Sequence, residues 1–250
     1  MLTRREVVVG ISAANLLLPD TVYATARPRA KPRWPMSQGI PDRHVRPATR
    51  WLLNNFGPVL TEKVAGTRVS LALACAIACQ ESAYTWFDRA KFKNGRKPAE
   101  MMRLLVLDNV SPRGVFPRDT EAFKKDARFS DLAPGLIAIA DESRMARGYA
   151  TTRNLLYGYG LFQYDLQNIQ TDPAFWRDNL PGTPSPGLWG DVSACTSRFI
   201  AEMSEKIVHY CGDERAAIAA YNGRGPNARA YAEIVLKFRD LADLEITSAT

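Results

Sequence analysis

Apolar residues recur along most of the chain at the three- and four-residue spacing of amphipathic or buried helices. The segment 67–84, TRVSLALACAIACQESAY, is apolar on nearly every face. We therefore expect a central buried helix there, with Thr67 as its N-cap. Similar spacing predicts a second long helix over 192–211 and a third over 133–149, which has Pro134 in its first turn.

Shorter helices are predicted at 48–56, ending at Gly57-Pro58, near 99–107, and as a pair within 213–238 that a Gly/Pro turn separates. The stretch 155–165, LLYGYGLFQYD, does not fit this helical pattern. Its two glycines allow a tight hairpin, although polar residues stand among its apolar ones. The expected fold class is therefore mainly α, a helical domain with a small β-hairpin.

The first 26 residues have the layout of a cleaved export signal. Paired arginines, Arg4 and Arg5, precede an apolar run of about a dozen residues and the ending Ala24-Thr25-Ala26. The paired arginines favour the twin-arginine route, whereas a buried N-terminal helix is the alternative. Because a membrane span needs roughly 20 apolar residues, we expect no stable membrane insertion and a periplasmic or secreted product.

The net charge of +7 is concentrated near the N-terminus. Residues 27–50 carry seven arginines and lysines against Asp42 alone, which gives +6 and leaves +1 for 51–250, since the charges of 1–26 cancel. A nearly neutral folded part argues against a nucleic-acid groove. The basic segment 27–50, with five prolines, predicts an extended arm ahead of one domain at 51–250.

The four cysteines of an exported protein permit disulfides. Cys195 and Cys211 stand at opposite ends of one predicted helix, about 24 Å apart, whereas a disulfide needs Cα atoms within about 7 Å. Cys75 and Cys79 share a helical face and could meet partners elsewhere or remain buried thiols. No metal-ligand spacing is present, so no metal or cofactor is expected.

Glu81, in the stretch ACQESAY, is the first candidate for chemistry. The turns before it are Leu, Ala, Cys and Ile, and such surroundings disfavour an ionised carboxyl. A carboxyl that stays protonated near neutral pH is what a general acid needs to protonate a glycosidic oxygen. Ser82 could orient it through its hydroxyl. The alternative is a helix-end glutamate that points into water.

Two later stretches add candidate sugar-binding groups. Gln163 offers donors and an acceptor to hydroxyl and N-acetyl groups, and Asp165 shares its strand face if the run is extended. A buried glutamine that satisfies loop carbonyls is the ordinary alternative. In AAIAAYNGRGP, Tyr221 ends a small-residue helix and Asn222 begins a turn, where a phenol can bond a carboxyl or a sugar. The ordinary alternative is a capping tyrosine followed by an Asn-Gly turn.

Taken in order, these pieces resemble the motifs of the lytic transglycosylase and goose-type lysozyme family: Glu81-Ser82, then Gly160-Leu161-Phe162-Gln163, then Ala220-Tyr221-Asn222. Asp165 matches an aspartate that goose-type members carry two residues past the glutamine. The resemblance covers 68–238. It implies a lysozyme-like helical domain with a small hairpin, and the β-1,4-linked N-acetylmuramic acid–N-acetylglucosamine strands of peptidoglycan as substrate.

The resemblance also implies roles for these residues. Glu81 would protonate the leaving oxygen and then, in a transglycosylase, act as the base that helps the muramyl 6-hydroxyl close a 1,6-anhydro ring. In a hydrolase, Asp165 would direct water from the opposite face. The remaining residues would bind or orient sugars: Ser82, Gln163, Tyr164, Tyr221 and Asn222. Trp86 would stack on a sugar or fill the core, the latter being favoured.

The spacing of the motifs departs from the family. Glu81 precedes Gly160 by 79 positions, far more than the family usually has, whereas Glu142 precedes it by only 18. Either residues of about 88–140 are an insertion, or Glu142 is the acid. We favour Glu81, because Glu142 has Asp141 beside it and Arg144 near, and their opposing charges leave no clear preference for a protonated carboxyl.

Two other functions are compatible with the sequence. The same fold could hydrolyse chitin or another amino-sugar glycan. A non-catalytic envelope protein could retain the groove and bind peptidoglycan without turnover.

Overall fold

The computed structural model describes residues 39–108, 115–177 and 187–249. The predicted export signal and the part of the predicted arm before residue 39 lie outside the described residues. The longer helices are α1 (Asp42–Val64), α2 (Leu71–Trp86), α6 (Ala133–Ala146), α8 (Val192–His209), α9 (Glu214–Asn222) and α10 (Pro226–Ala249). The shorter ones are α3 (Ala90–Lys93), α4 (Pro98–Arg103), α5 (Thr120–Lys125) and α7 (Ala174–Arg177).

Helix α2 lies at the centre, as its all-round apolar sequence predicts. Every residue from 72 to 86 is buried, and α2 packs against α10 and α1. Its predicted N-cap is wrong, because Ser70 rather than Thr67 accepts the hydrogen bond from the Leu73 amide. Thr67 instead donates to the Val64 carbonyl, at the end of the preceding helix.

Helix α1 is longer than the sequence predicts and contains two prolines. We expected an extended arm up to residue 50 and a helix that ended at Gly57-Pro58, but α1 runs from Asp42 to Val64 through Pro47 and Pro58. An interior proline costs a helix about 3 kcal/mol. Here the buried face of α1 against α2, α8 and α10 offsets that cost; its apolar members are Val45, Ala48, Leu52 and Leu60.

A small antiparallel sheet stands beside the helices. Strand β2 (Gly158–Tyr159) pairs with β3 (Tyr164–Asp165), which confirms the predicted hairpin and the mainly α class with a small β-element. A third strand, β1 (Val106–Leu107), pairs with β2. Here we predicted helix near 99–107, but α4 ends at Arg103. The Leu105 carbonyl instead accepts from the Gly160 amide.

The remaining long helices agree with the sequence pattern. Helix α6 has Pro134 in its first turn and packs on β1, and α8 buries the apolar face that its spacing predicts. Helices α9 and α10 follow one another across the Gly/Pro turn and pack together. Within the described ranges, no helix combines the length and the hydropathy needed to cross a bilayer.

The four cysteines, all within the described residues, are thiols. Cys195 and Cys211 form no disulfide, as their predicted separation requires. Cys75 and Cys79 are buried in α2, and burial raises the pKa of Cys75 to about 12. Because the thiolate is the reactive form, Cys75 is a packing residue rather than a nucleophile.

Candidate active site

The turn between β2 and β3 is held in a conformation that few residues tolerate. Gly160 has φ +75° and Gln163 has φ +52°. A Cβ at position 160 would lie 2.8 Å from the Trp189 carbonyl oxygen and against the Cys195 sulfur. Glycine is therefore needed at position 160 both for its backbone conformation and for space.

Side chains from all three sequence motifs fasten this turn. The Ser82 hydroxyl of α2 lies 2.7 Å from the Leu161 carbonyl oxygen, and the Tyr221 hydroxyl of α9 donates to the Phe162 carbonyl at 2.9 Å. Within the turn, the Gln163 amide donates to the Gly160 carbonyl at 2.7 Å. Motifs that are scattered along the sequence thus meet on consecutive carbonyls of one loop.

Ser82 is a structural residue in this arrangement. Its side chain is fully buried, and its oxygen also accepts a hydrogen bond from the Trp86 indole at 2.9 Å. Trp86 in turn stacks on Trp51, with ring centroids 5.1 Å apart, which confirms that it fills the core. The predicted sugar contact of Ser82 is replaced by a bond to the turn.

Gln163, Tyr164 and Tyr221 are also buried, at 2%, 4% and 0% exposure. Gln163 satisfies loop carbonyls, which was the ordinary alternative for it. The Tyr164 ring stacks on Trp176 and its hydroxyl accepts from Arg198, while burial raises the pKa of Tyr164 to about 12. None of the three presents an open ring or amide to a sugar.

Asp165 starts a turn of 3-10 helix at Leu166–Gln170. Its carboxylate accepts from the Gln167 amide at 2.9 Å, and the residue is 3% exposed. A buried carboxylate in this position caps backbone N–H groups. The predicted role of directing water therefore does not match where the structure places Asp165.

Glu81 and Asn222 differ from the fastening residues. Asn222, the last residue of α9, is partly exposed. Glu81 is 7% exposed and lies inside α2, which continues to Trp86, rather than at a helix end. Its carboxylate accepts a 2.7 Å hydrogen bond from the Tyr231 hydroxyl of α10. The alternative of a glutamate that points into water is therefore wrong.

Tyr231 is a residue that sequence reasoning missed. It stands 150 positions after Glu81, and its spacing on α10 is that of an ordinary core residue. A buried carboxylate is expected to find a hydrogen-bond donor. The sequence therefore predicts that a buried Glu81 has a hydrogen-bond donor, but it does not identify the helix that supplies the donor.

Glu142, the rival acid, lies at the surface. Its side chain is 45% exposed and forms an ion pair with Arg103. Its neighbour Ser143 is buried, with its hydroxyl 2.7 Å from the carbonyl oxygens of Leu104 and Val106. Both glutamate–serine pairs thus use the serine to hold the sheet, but only at position 81 is the glutamate buried.

Across the described residues, no group of histidine, cysteine, aspartate and glutamate side chains is placed to hold a metal ion. The site that the geometry offers is therefore a buried glutamate with a tyrosine donor, beside a turn fastened from two helices. Compared with known protein families, with curated proteins and with solved structures, the chain shows no match.

Proposed function

We propose that the protein is a peptidoglycan-cleaving glycosidase that acts on β-1,4 bonds between N-acetylmuramic acid and N-acetylglucosamine. One observation carries the proposal. Ser82 and Tyr221, from motifs 139 positions apart, bond to adjacent carbonyls of the glycine turn. These are the motifs whose order resembles lytic transglycosylases and goose-type lysozymes, and their meeting in space supports a lysozyme-like arrangement.

Glu81 is the acid in this proposal. It lies inside the protein, and the Tyr231 hydroxyl fixes the direction in which its carboxyl points. The carboxyl gives its proton to the glycosidic oxygen as the bond from that oxygen to the muramyl C1 breaks. The resulting carboxylate then takes the proton of the muramyl 6-hydroxyl, whose oxygen bonds to C1 and closes the 1,6-anhydro ring.

The transglycosylase route is favoured over hydrolysis. Inverting hydrolysis requires a second carboxylate to activate water. The candidate for that role, Asp165, uses its carboxylate as a buried helix cap. Ring closure needs only the one carboxyl of Glu81. The proposal includes export, since the substrate lies outside the cytoplasmic membrane.

Incubation with purified sacculi and mass analysis of the released fragments tests this function. We expect fragments with 1,6-anhydro ends from the parent, none from Glu81→Gln, and the parental yield from Glu142→Gln. Reducing ends would overturn the transglycosylase route. Loss of activity in the Glu142 variant alone would overturn the assignment of the acid.

If the parent releases no fragments, the glycosidase proposal is wrong. A binding protein would then sediment with sacculi equally well as parent and as Glu81→Gln. Release from chitin but not from sacculi would instead show an amino-sugar glycanase of different specificity.

A further inference from the structure

An exposed tyrosine follows α6, at a sharp change in chain direction. Gly148 has φ +86°, and the Tyr149 amide bonds back to the Arg144 carbonyl at 2.9 Å. The Tyr149 side chain is left 41% exposed, beside the last turn of the helix. The segment 147–149 therefore presents an aromatic ring at the protein surface.

Three arginines gather around this ring and Lys91 lies beside the neighbouring Gly148; we refer to the four as the basic cluster: Arg89, Lys91, Arg144 and Arg147. The guanidinium carbons of the three arginines lie 4.8, 5.6 and 5.4 Å from the Tyr149 ring centroid. Lys91 lies across from Gly148, where an added Cβ would be 3.2 Å from its Nζ. The cluster joins residues from two separate parts of the chain.

The negative groups at this surface do not balance the cluster. Asp108 pairs with Arg144 and Arg147. Arg89 donates to the Arg147 carbonyl at the end of α6, where the helix dipole contributes about half a negative charge. Against four cations this leaves a surplus of roughly two to three positive charges. Because Arg147 is buried, the surplus is presented by Arg89, Lys91 and Arg144.

The other acids of α6 are engaged elsewhere. Asp141 accepts from the backbone amides of Thr152 and Arg153, and Glu142 pairs with Arg103. A surplus of like charges at one exposed surface is the electrostatic complement of an anionic partner. Arg147 is held inside the protein by Asp108 and the Ser143 carbonyl, whereas Arg89, Lys91 and Arg144 at the surface fit an anion-bearing ligand.

The basic cluster lies near the proposed acid. Glu81 is followed by five residues of α2, which rise about 7.5 Å, and then by three residues that reach at most about 11 Å to Arg89. With the width of the helix included, the two Cα atoms are therefore at most about 20 Å apart. A glycan strand bound at Glu81 can bring its attached groups to the cluster.

We propose that the basic cluster binds the carboxylates of the peptides attached to the glycan strand. This proposal rests on the peptidoglycan function above. The N-acetylated sugars within the strand are uncharged, because each lactyl carboxyl is consumed in the amide bond to its peptide. The charged groups near a bound strand are then the peptide carboxylates, and guanidinium groups bind carboxylates through paired hydrogen bonds.

Binding is measured in the Glu81→Gln protein, so that cleavage does not change the substrate. Sedimentation compares intact sacculi with sacculi whose peptide carboxylates have been converted to neutral amides by a carbodiimide and ammonia. The test variant adds Arg89→Gln and Lys91→Gln. The matched control adds Lys125→Gln and Arg229→Gln, two exposed positions on α5 and α10 with the same loss of charge.

We expect Arg89→Gln with Lys91→Gln to weaken binding to intact sacculi about three- to tenfold, as two surface ion pairs predict. Binding to the amidated sacculi should stay the same, and the control pair should change neither. Lys91→Gln alone changes only an exposed side chain, and it should give a smaller effect in the same direction. Thermal melts check that all variants are folded.

Equal weakening on intact and amidated sacculi would overturn the proposal, as would no weakening. So would an effect confined to vesicles of acidic phospholipid, because the partner would then be a membrane surface. Failure of the glycosidase function would appear separately, as an absence of soluble fragments from the parent protein. The binding comparison, which uses the Glu81→Gln protein, can still be interpreted in that case.

Discussion

The hydrogen bond from Tyr231 to Glu81 joins α2 and α10, two helices that pack extensively on one another. A carboxyl on a helix otherwise samples several rotamers. One buried donor at 2.7 Å selects among them. Tyr231 is therefore a positioning residue for the proposed acid, not a group that meets the substrate.

Tyr231→Phe should lower kcat for fragment release about two- to tenfold and change KM much less. The ring is kept, so packing is preserved, but a hydrogen bond worth about 0.5–1.5 kcal/mol is lost. Each 1.36 kcal/mol corresponds to a factor of about ten in rate. Steady-state release of fragments from sacculi measures the split, with the exposed Tyr210→Phe as control. An unchanged kcat would show that the bond does not orient the acid.

Asp165→Asn separates the capping role from a catalytic one. Asparagine caps about as well as aspartate, so stability should change by less than about 1 kcal/mol, whereas Asp165→Ala should cost about that amount. Fragments with anhydro ends should still be released by the asparagine variant. A folded Asp165→Asn protein without activity would show that the Asp165 carboxylate takes part in catalysis.

At the scale of elements, the turn between β2 and β3 depends on its surroundings for its shape. The two strands contribute two residues each. Isolated two-stranded hairpins are only marginally stable in water. Bonds from Ser82 and Tyr221, together with the pairing of β1, hold the turn against α2 and α9. The sheet is thus fixed by the helices rather than by its own strands.

Gly160→Ala should lower the free energy of unfolding by about 3 kcal/mol. Its positive φ costs about 1–2 kcal/mol in a residue with a Cβ, and the overlap with the Trp189 carbonyl and Cys195 adds a packing cost of similar size. Gly95→Ala is the control, because Gly95 has φ +70° but open space around it. Urea denaturation should give a loss of only about 1–2 kcal/mol there. Equal losses of unfolding free energy at both positions would mean that the contacts of position 160 with Trp189 and Cys195 add nothing to the cost of the substitution.

The sequence predicts an element correctly where the spacing of apolar residues or glycines within that segment determines its structure. The apolar spacing of α2 and α8 predicts both helices, and the glycines of 155–165 predict the hairpin. The prediction was wrong where contacts with a segment distant in the sequence determine the structure. Helix α1 passes through Pro58 because its buried face is held by other helices, and β1 forms because β2, some fifty residues later, pairs with it.

The candidate site follows the same rule. The glutamate–serine, glycine-turn and tyrosine motifs identify the residues that meet, since each is a recognisable local pattern. They do not identify what each side chain does there. Burial turns Gln163 and Tyr221 inward to satisfy backbone carbonyls, and it gives Glu81 a donor from a helix that carries no motif.

Across the whole molecule, an ion-pair group ties the first described helix to the last. The Glu245 carboxylate of α10 is buried and accepts from Arg50 at 2.5 Å and from Arg46 at 3.1 Å, both on α1. Both helices also pack on α2, which carries Glu81. The site is therefore built on a framework whose two outer helices are joined by charge.

The pairing of Glu245 predicts a dependence of stability on pH. The hydrogen bond from Arg50, helped by Arg46, lowers the pKa of Glu245 more than its burial raises it. Because the pKa of Glu245 in the folded state is below the unfolded value of about 4.3, the stabilisation is complete above pH 4.3 and is lost as the pH falls through the folded-state pKa.

Glu245→Gln, a neutral isostere, should therefore reduce the free energy of unfolding by about 1 kcal/mol at pH 7. The difference from the parent should shrink below about pH 4.3 and vanish in acid. Urea denaturation between pH 7 and pH 2.5 measures it, with the exposed Glu62→Gln as control. A difference that stays constant over this range would mean that Glu245 acts through packing and not through its charge.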